Sequence, residues 1–135
     1  MTADRLAADA YPDMDLTERI IGCAIAVHRE LGPGLLESIY EEAMTVELRS
    51  AGLSFLRQVE LPVVYKGERL SGSYRIDMLV ENRVVLELKS ATEAHPIHEA
   101  QILTYLKLGG WKVGLILNFN KRLMMDGIKR VVLSS

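Results

Sequence analysis

One cysteine in 135 residues leaves no partner for a disulfide, and too few thiolates for a zinc or iron–sulfur site. Cys23 sits in an apolar helical stretch and reads as a small core residue rather than a reactive thiol. No apolar run approaches the ~20 residues that span a bilayer, and the polar start carries no signal-peptide core. The expected compartment is therefore cytoplasmic, with no membrane partner. A basic excess is missing too: 16 Lys and Arg face 18 Asp and Glu, for a formal net charge of −2. Dedicated duplex binders usually carry that excess, because phosphate neutralisation supplies much of their affinity. Also absent are a Gly-rich phosphate loop, a nucleophile elbow, internal repeats, low-complexity tracts and linkers.

What remains is an ordinary globular balance, 49% hydrophobic and 25% charged, in a chain long enough for one domain with a real core. Residues 1–12 show no periodicity and are expected to form a flexible arm, with a single domain over 13–135. Asp15 and Glu18 resemble a capping box, and Ile20, Ala24, Val27 and Leu31 repeat at helical spacing. A first helix is predicted over 16–31, ended by Gly32-Pro33-Gly34. A second, over 36–51, puts Leu36, Ile39, Ala43 and Val46 on one face and stops at Gly52.

From Phe55 the period changes to two. Val59, Leu61, Val63 and Tyr65 alternate with their neighbours, Lys66-Gly67-Glu68 reads as a hairpin turn, and 70–80 as the return strand. Glu81-Asn82-Arg83 turns the chain into a strand over 84–89. Pro96 suits the first position of a third helix, over 97–108, closed by Gly109-Gly110. Apolar strands over 113–119 and 128–133 complete the order ααβββαββ. One helix between the 84–89 and 113–119 strands is the layout of a parallel crossover, so the fold class is α/β, with a mixed central sheet flanked by helices.

Charge inside two of these strands is the informative feature. Asp77 interrupts Tyr74-Arg75-Ile76-Asp77-Met78-Leu79-Val80, and Glu87 and Lys89 interrupt Val84-Val85-Leu86-Glu87-Leu88-Lys89. Alternation points Glu87 and Lys89 the same way, with Leu88 opposite. Burying such charges costs several kcal/mol unless a counter-charge or ion sits there. A divalent cation on Asp77 and Glu87, with Lys89 beside it, is the arrangement for metal-dependent phosphodiester hydrolysis. Magnesium prefers hard oxygen ligands and keeps several waters, so two or three carboxylates suffice. The metal would polarise the phosphate and lower the pKa of a bound water. Lys89 would orient or deprotonate that water, or neutralise charge growing on the phosphate. The plain alternative is a Glu–Lys pair on an edge strand with Asp77 solvated. A low basic count weighs little against such an enzyme, since its acidic ligands lower the total.

Other residues have competing readings. Glu37 lies in Gly34-Leu35-Leu36-Glu37-Ser38-Ile39-Tyr40 with Tyr40 one turn along the same face. An acid in a first helical turn also satisfies free amides and the dipole. Gln101 and Tyr105, four apart, would hold a phosphate or a base, or form the polar margin of a helix. Arg75 shares a face with Asp77 by alternation, to hold a phosphate or pair with an acid. His95 and His98 flank Pro96 and read first as capping or surface groups. His28 reads as a helix-interface residue, and Trp111 as packing at a helix-to-strand junction.

Together, Gly34, Glu37 and Tyr40, then Tyr74-Arg75-Ile76-Asp77, Leu86-Glu87-Leu88-Lys89, Pro96-Ile97-His98-Glu99-Ala100-Gln101, Tyr105 and Asn118-Phe119-Asn120 resemble the GxxExxY proteins. These are a branch of the PD-(D/E)XK nuclease superfamily close to the RecB-like exonucleases. The resemblance covers residues 16–133 and implies a restriction-endonuclease-like core. It implies Glu37, Asp77, Glu87 and the Leu88 carbonyl as metal ligands for Mg2+ or Mn2+, with Asp77, Glu87 and Lys89 catalytic. It matches Gln101 and Tyr105 to the RecB-like helix motif, and these two, with Arg75 and Tyr40, are the expected substrate-binding residues. The cysteine cluster of the iron–sulfur relatives is missing, and no helicase or DNA-binding appendage is evident in these residues.

The expected function is metal-dependent hydrolysis of nucleic acid, DNA before RNA. The rival is a non-catalytic module that binds nucleic acid or a protein partner on the same scaffold, and hydrolysis of a small nucleotide would use the same chemistry. Exposed sheet edges in so small a domain point to a homo-oligomer as a further expectation.

Overall fold

The structure, a computed structural model, describes residues 12–134. Apart from Pro12, the expected N-terminal arm lies outside the described residues. The element order is the expected ααβββαββ: α1 (Met14–Leu31), α2 (Glu37–Ser50), β1 (Phe55–Tyr65), β2 (Glu68–Val80), β3 (Val84–Lys89), α3 (Pro96–Gly109), β4 (Val113–Asn118) and β5 (Ile128–Val132). A short 3-10 turn at Met124–Gly127, not anticipated from the sequence, leads into β5. No described helix is long and apolar enough to cross a membrane.

Helix α1 buries Leu16, Ile20, Ala24 and Val27, the stripe its spacing predicted, together with Cys23. The capping box does not form. The helix starts earlier, with Asp13 as N-cap in a left-handed conformation and without a side-chain capping bond. Asp15 sits inside the first turn, where its carboxylate faces the positive end of the helix dipole. The Asp13 carboxylate is 3.3 Å from the Arg83 guanidinium instead.

Helix α2 also departs from expectation. Its buried residues are Tyr40, Glu41, Met44, Thr45 and Leu48, whereas Leu36 and Val46 are 72% and 60% exposed. Both stripes have helical spacing, and periodicity fixes the spacing without fixing which stripe faces inward. Tyr40, Met44 and Leu48 carry the larger apolar area, so turning them inward removes more surface from water.

The five strands form one sheet in the order β1-β2-β3-β4-β5, antiparallel except for the parallel β3–β4 pair that α3 crosses over. On one face, α1 and α2 pack against Met78, Val80, Leu86, Leu88, Leu115 and Leu117. On the other, α3 sets Ile102, Tyr105 and Leu106 against Ile76, Val85 and Ile116. The turns behave as read: Lys66 and Gly67 (φ 48° and 81°) close the β1–β2 hairpin, and Glu81 and Asn82 are left-handed between β2 and β3. Trp111 packs over Gly109 at the junction between α3 and β4.

One irregularity positions the site. The β1–β2 register runs from Phe55↔Val80 to Arg57↔Met78 and resumes at Val59↔Ile76, leaving out the pair Gln58 and Asp77. Gln58 is left-handed there, with φ 49°, and the register is the same on either side of it; the register shift of this strand pair lies between Pro62 and Val64. On the other side, β2–β3 pairing stops at Met78↔Leu86. Asp77 thus falls out of both ladders. Ile76 and Met78, two residues apart, pack on opposite faces of the sheet, so the alternation slips at this point.

The orientation of α2 can be checked by urea denaturation. Met44→Ala is expected to cost about 2–5 kcal/mol, while Val46→Ser changes stability by less than about 0.5 kcal/mol. The reverse ranking would mean that the helix presents its other stripe to the core.

Candidate active site

The slip at Asp77 and the straight run of β3 bring two carboxylates together. Asp77 Oδ2 accepts the Leu88 amide at 2.8 Å, and Glu87 Oε1 accepts the Asp77 amide at 3.4 Å. Each acid thereby binds the backbone of the strand carrying the other, in place of the missing ladder bonds. Glu87 is only 5% exposed. Burial raises its pKa most, the Asp77 charge adds to this, and the group is pushed up to about 8. Asp77 is raised too, first by burial, against opposing effects of the Leu88 amide and Lys89. Leu88 points into the α1–α2 core, so Glu87 and Lys89 face the α3 side, as alternation required.

Glu37 stands apart from this pair. It is exposed in the first turn of α2, yet its charge, like that of Glu41, reaches Asp77 and raises its pKa. Among the described residues, no three or more His, Cys, Asp or Glu side chains form a group able to hold a metal ion. The structure therefore brings two of the three expected acids into contact and leaves the third at the rim.

Tyr40 requires a correction. Expected to bind substrate, it is 0% exposed, its ring stacked on Phe119 at 4.3 Å. Its hydroxyl donates to the Gly32 carbonyl at 2.6 Å and accepts from the Leu35 amide at 3.1 Å. Tyr40 fastens the loop before Glu37, where Gly34 adopts φ 95°. The loop is tied to the end of β3 as well, through Ser90 Oγ donating to Leu35 O at 2.7 Å. Phe119 N donates to Lys89 O at 2.9 Å. Glu37 and Lys89 are thus braced by one set of contacts.

On the α3 side, Tyr105 is buried with its ring 5.5 Å from that of Tyr74. Burial, then the charges of Glu87 and Asp77, push its hydroxyl up to about 12. Gln101 lines a trough of about 490 Å3 with Tyr74 and Lys89. Arg75 is exposed. His95 caps α3, accepting the Ile97 amide at 3.0 Å. His98 is lowered by burial and then by the Lys89 charge, with Glu37 acting the other way. His28 is an interface group, 2.7 Å from Lys121 O.

Two residues that matter to this geometry, Glu41 and Asn118, have no role in the sequence reading, where Asn118 stands only as part of a family marker. Glu41 is buried against Arg57 (2.8 Å) and the Gln58 side-chain Nε2 (2.6 Å), which locks α2 onto the left-handed point of β1 opposite Asp77. Its signal was the four-residue spacing from Glu37 on one helix face. Asn118, buried and in register with Lys89, holds Ala91 by both N–H and C=O and also accepts the Asn120 amide. A lone amide ending an apolar strand was the clue.

Asp77 and Glu87 supply two hard oxygen donors, a partial set of the kind taken by a dication that keeps several of its waters. These two adjacent carboxylates, one buried and one half-buried, repel one another and are driven towards protonation, and Lys89 offsets this only in part. A family model described as the PD-(D/E)XK nuclease superfamily matches residues 14–131. No curated protein matches the chain.

A raised acid pKa stabilises the fold at low pH. Without divalent metal, the Glu87 contribution should be fully present below its ordinary pKa of 4.5 and be lost as pH rises through about 8. Denaturation midpoints in EDTA should therefore fall over that window, and Glu87→Gln should flatten the fall. An unchanged slope in the variant would show that Glu87 ionises freely in the native state.

Proposed function

Because the chain belongs to the PD-(D/E)XK nuclease superfamily, we propose that it hydrolyses phosphodiester bonds of nucleic acid, DNA before RNA, at Asp77, Glu87 and Lys89. Asp77, Glu87, the Leu88 carbonyl and Glu37 would hold Mg2+ or Mn2+. The observation that supports this most is the meeting of buried Glu87 and half-buried Asp77 at the break in strand pairing. Bound there, the dication supplies Lewis acidity and an acidified water.

The chain's own groups do the rest. Lys89, on the same side of β3 as Glu87, places an ammonium where charge grows on the phosphate. Asp77 and Glu87 hold their carboxylates against strand amides, so little reorganisation is needed on binding. Gln101 at the trough and exposed Arg75 are substrate contacts, and Tyr105 backs the site from α3. The loop clamped by Tyr40 supports placement in the GxxExxY branch, and Gln101 with Tyr105 on α3 supports its RecB-like relation.

The net charge of −2 favours the competing reading, a non-catalytic nucleic-acid- or protein-interaction module. Two measurements separate them. Asp77→Asn should abolish Mn2+-dependent cleavage and Lys89→Ala should lower it by about 10²-fold or more, both with native circular dichroism. Mn2+ should raise the melting midpoint of the native chain and not of Asp77→Asn, because ligand bound only to the folded state stabilises it. Absence of both cleavage and a shift at millimolar Mn2+ would leave the interaction module.

A further inference from the structure

We infer that the trough beside Lys89 is a nucleobase pocket with Tyr74 as its stacking platform, so that the substrate strand presents unpaired bases there. This rests on the phosphodiesterase reading for the place of the phosphate and narrows the substrate to single-stranded nucleic acid.

Two cavities, of about 490 and 400 Å3, both have Lys89 and His98 in their walls. In the larger, Lys89 and His98 are the only ionisable groups besides the Tyr74 phenol; Ile97, Ala100, Gln101 and Thr104 complete it. Such walls suit a flat, uncharged heterocycle better than a phosphate chain. Tyr74 is 40% exposed, and its inner side is braced by the buried Tyr105 ring, tilted by 58°. A braced, half-open aromatic beside a cation lets a base lie on the ring while its phosphate reaches Lys89. The Gln101 amide offers a donor and an acceptor to the base edge.

Pairing excludes this arrangement. In a duplex each base is covered on both faces by its neighbours and shows only its edge in a groove. Resting on an aromatic ring requires an unstacked base, as in single strands. The charge count points the same way. At a net −2, phosphate neutralisation is a weak source of affinity, and stacking supplies one that does not depend on basic residues.

The test uses a short single-stranded oligodeoxynucleotide carrying the fluorescent base 2-aminopurine, with Ca2+ in place of Mg2+ to hold back cleavage. The native chain and Tyr74→Phe should quench the fluorescence. Tyr74→Ala should bind about tenfold more weakly and lose the quenching, while the analogue paired in a duplex should show no added quenching. With Mn2+, the native chain should cleave the single strand faster than the duplex, and Tyr74→Ala should lose that preference. Native-like quenching and affinity in Tyr74→Ala, or no binding by the native chain, would overturn the pocket. Ring-dependent quenching without cleavage of any nucleic acid would uphold the pocket and sink the phosphodiesterase reading. Cleavage of both forms at equal rates, indifferent to Tyr74, would do the reverse.

Discussion

Two ionised acids sharing a buried space repel each other, and the fold must hold them together or lose the site. Here the work is done by backbone amides. Where β2 and β3 stop pairing, the amides of Asp77 and Leu88 have no ladder partner and turn to the Glu87 and Asp77 carboxylates. Satisfied amides keep the strands together, and the acids keep their positions whatever their charge state. The conflict between them is left to a proton or a cation.

The surroundings follow from the same constraint. Helix α2 brings Glu41 to the bulged strand and Glu37 to the rim, and its own placement depends on Tyr40 filling the space beside Phe119. On the far face, α3 lays Tyr105 behind the acids. Burial of that ring keeps water from the pair, which strengthens every charge effect there. Asn118 holds the chain after Lys89, so the segment that leaves the site is fixed at its first turn.

Much of this was legible in the residues, and the exceptions have physical reasons. β3 was predicted with its observed bounds, because a short apolar run lay between turn residues that tolerate left-handed backbone. The partnership of Glu87 and Lys89 followed from alternation alone. Alternation failed one strand away, where Ile76 and Met78 face opposite sides of the sheet beside left-handed Gln58. A glutamine gives no local warning of left-handed backbone. The inward stripe of α2 and the start of α1 failed for a related reason: both are decided by tertiary partners, Phe119 and Arg83, rather than by spacing. Tyr40 and Glu41 share that explanation. A tyrosine or an acid looks the same in sequence whether it meets a ligand or closes a loop.

The left-handed turn of the backbone at Gln58 has an effect on the outer rim of the sheet as well. β1 is an edge strand, and a straight one would offer an unbroken row of amides and carbonyls to any other extended chain. The left-handed residue at 58 and the proline at 62 break that row into short pieces, too short to template a neighbouring molecule. The irregularity that takes Asp77 out of the strand ladder thereby also interrupts the open edge of the sheet.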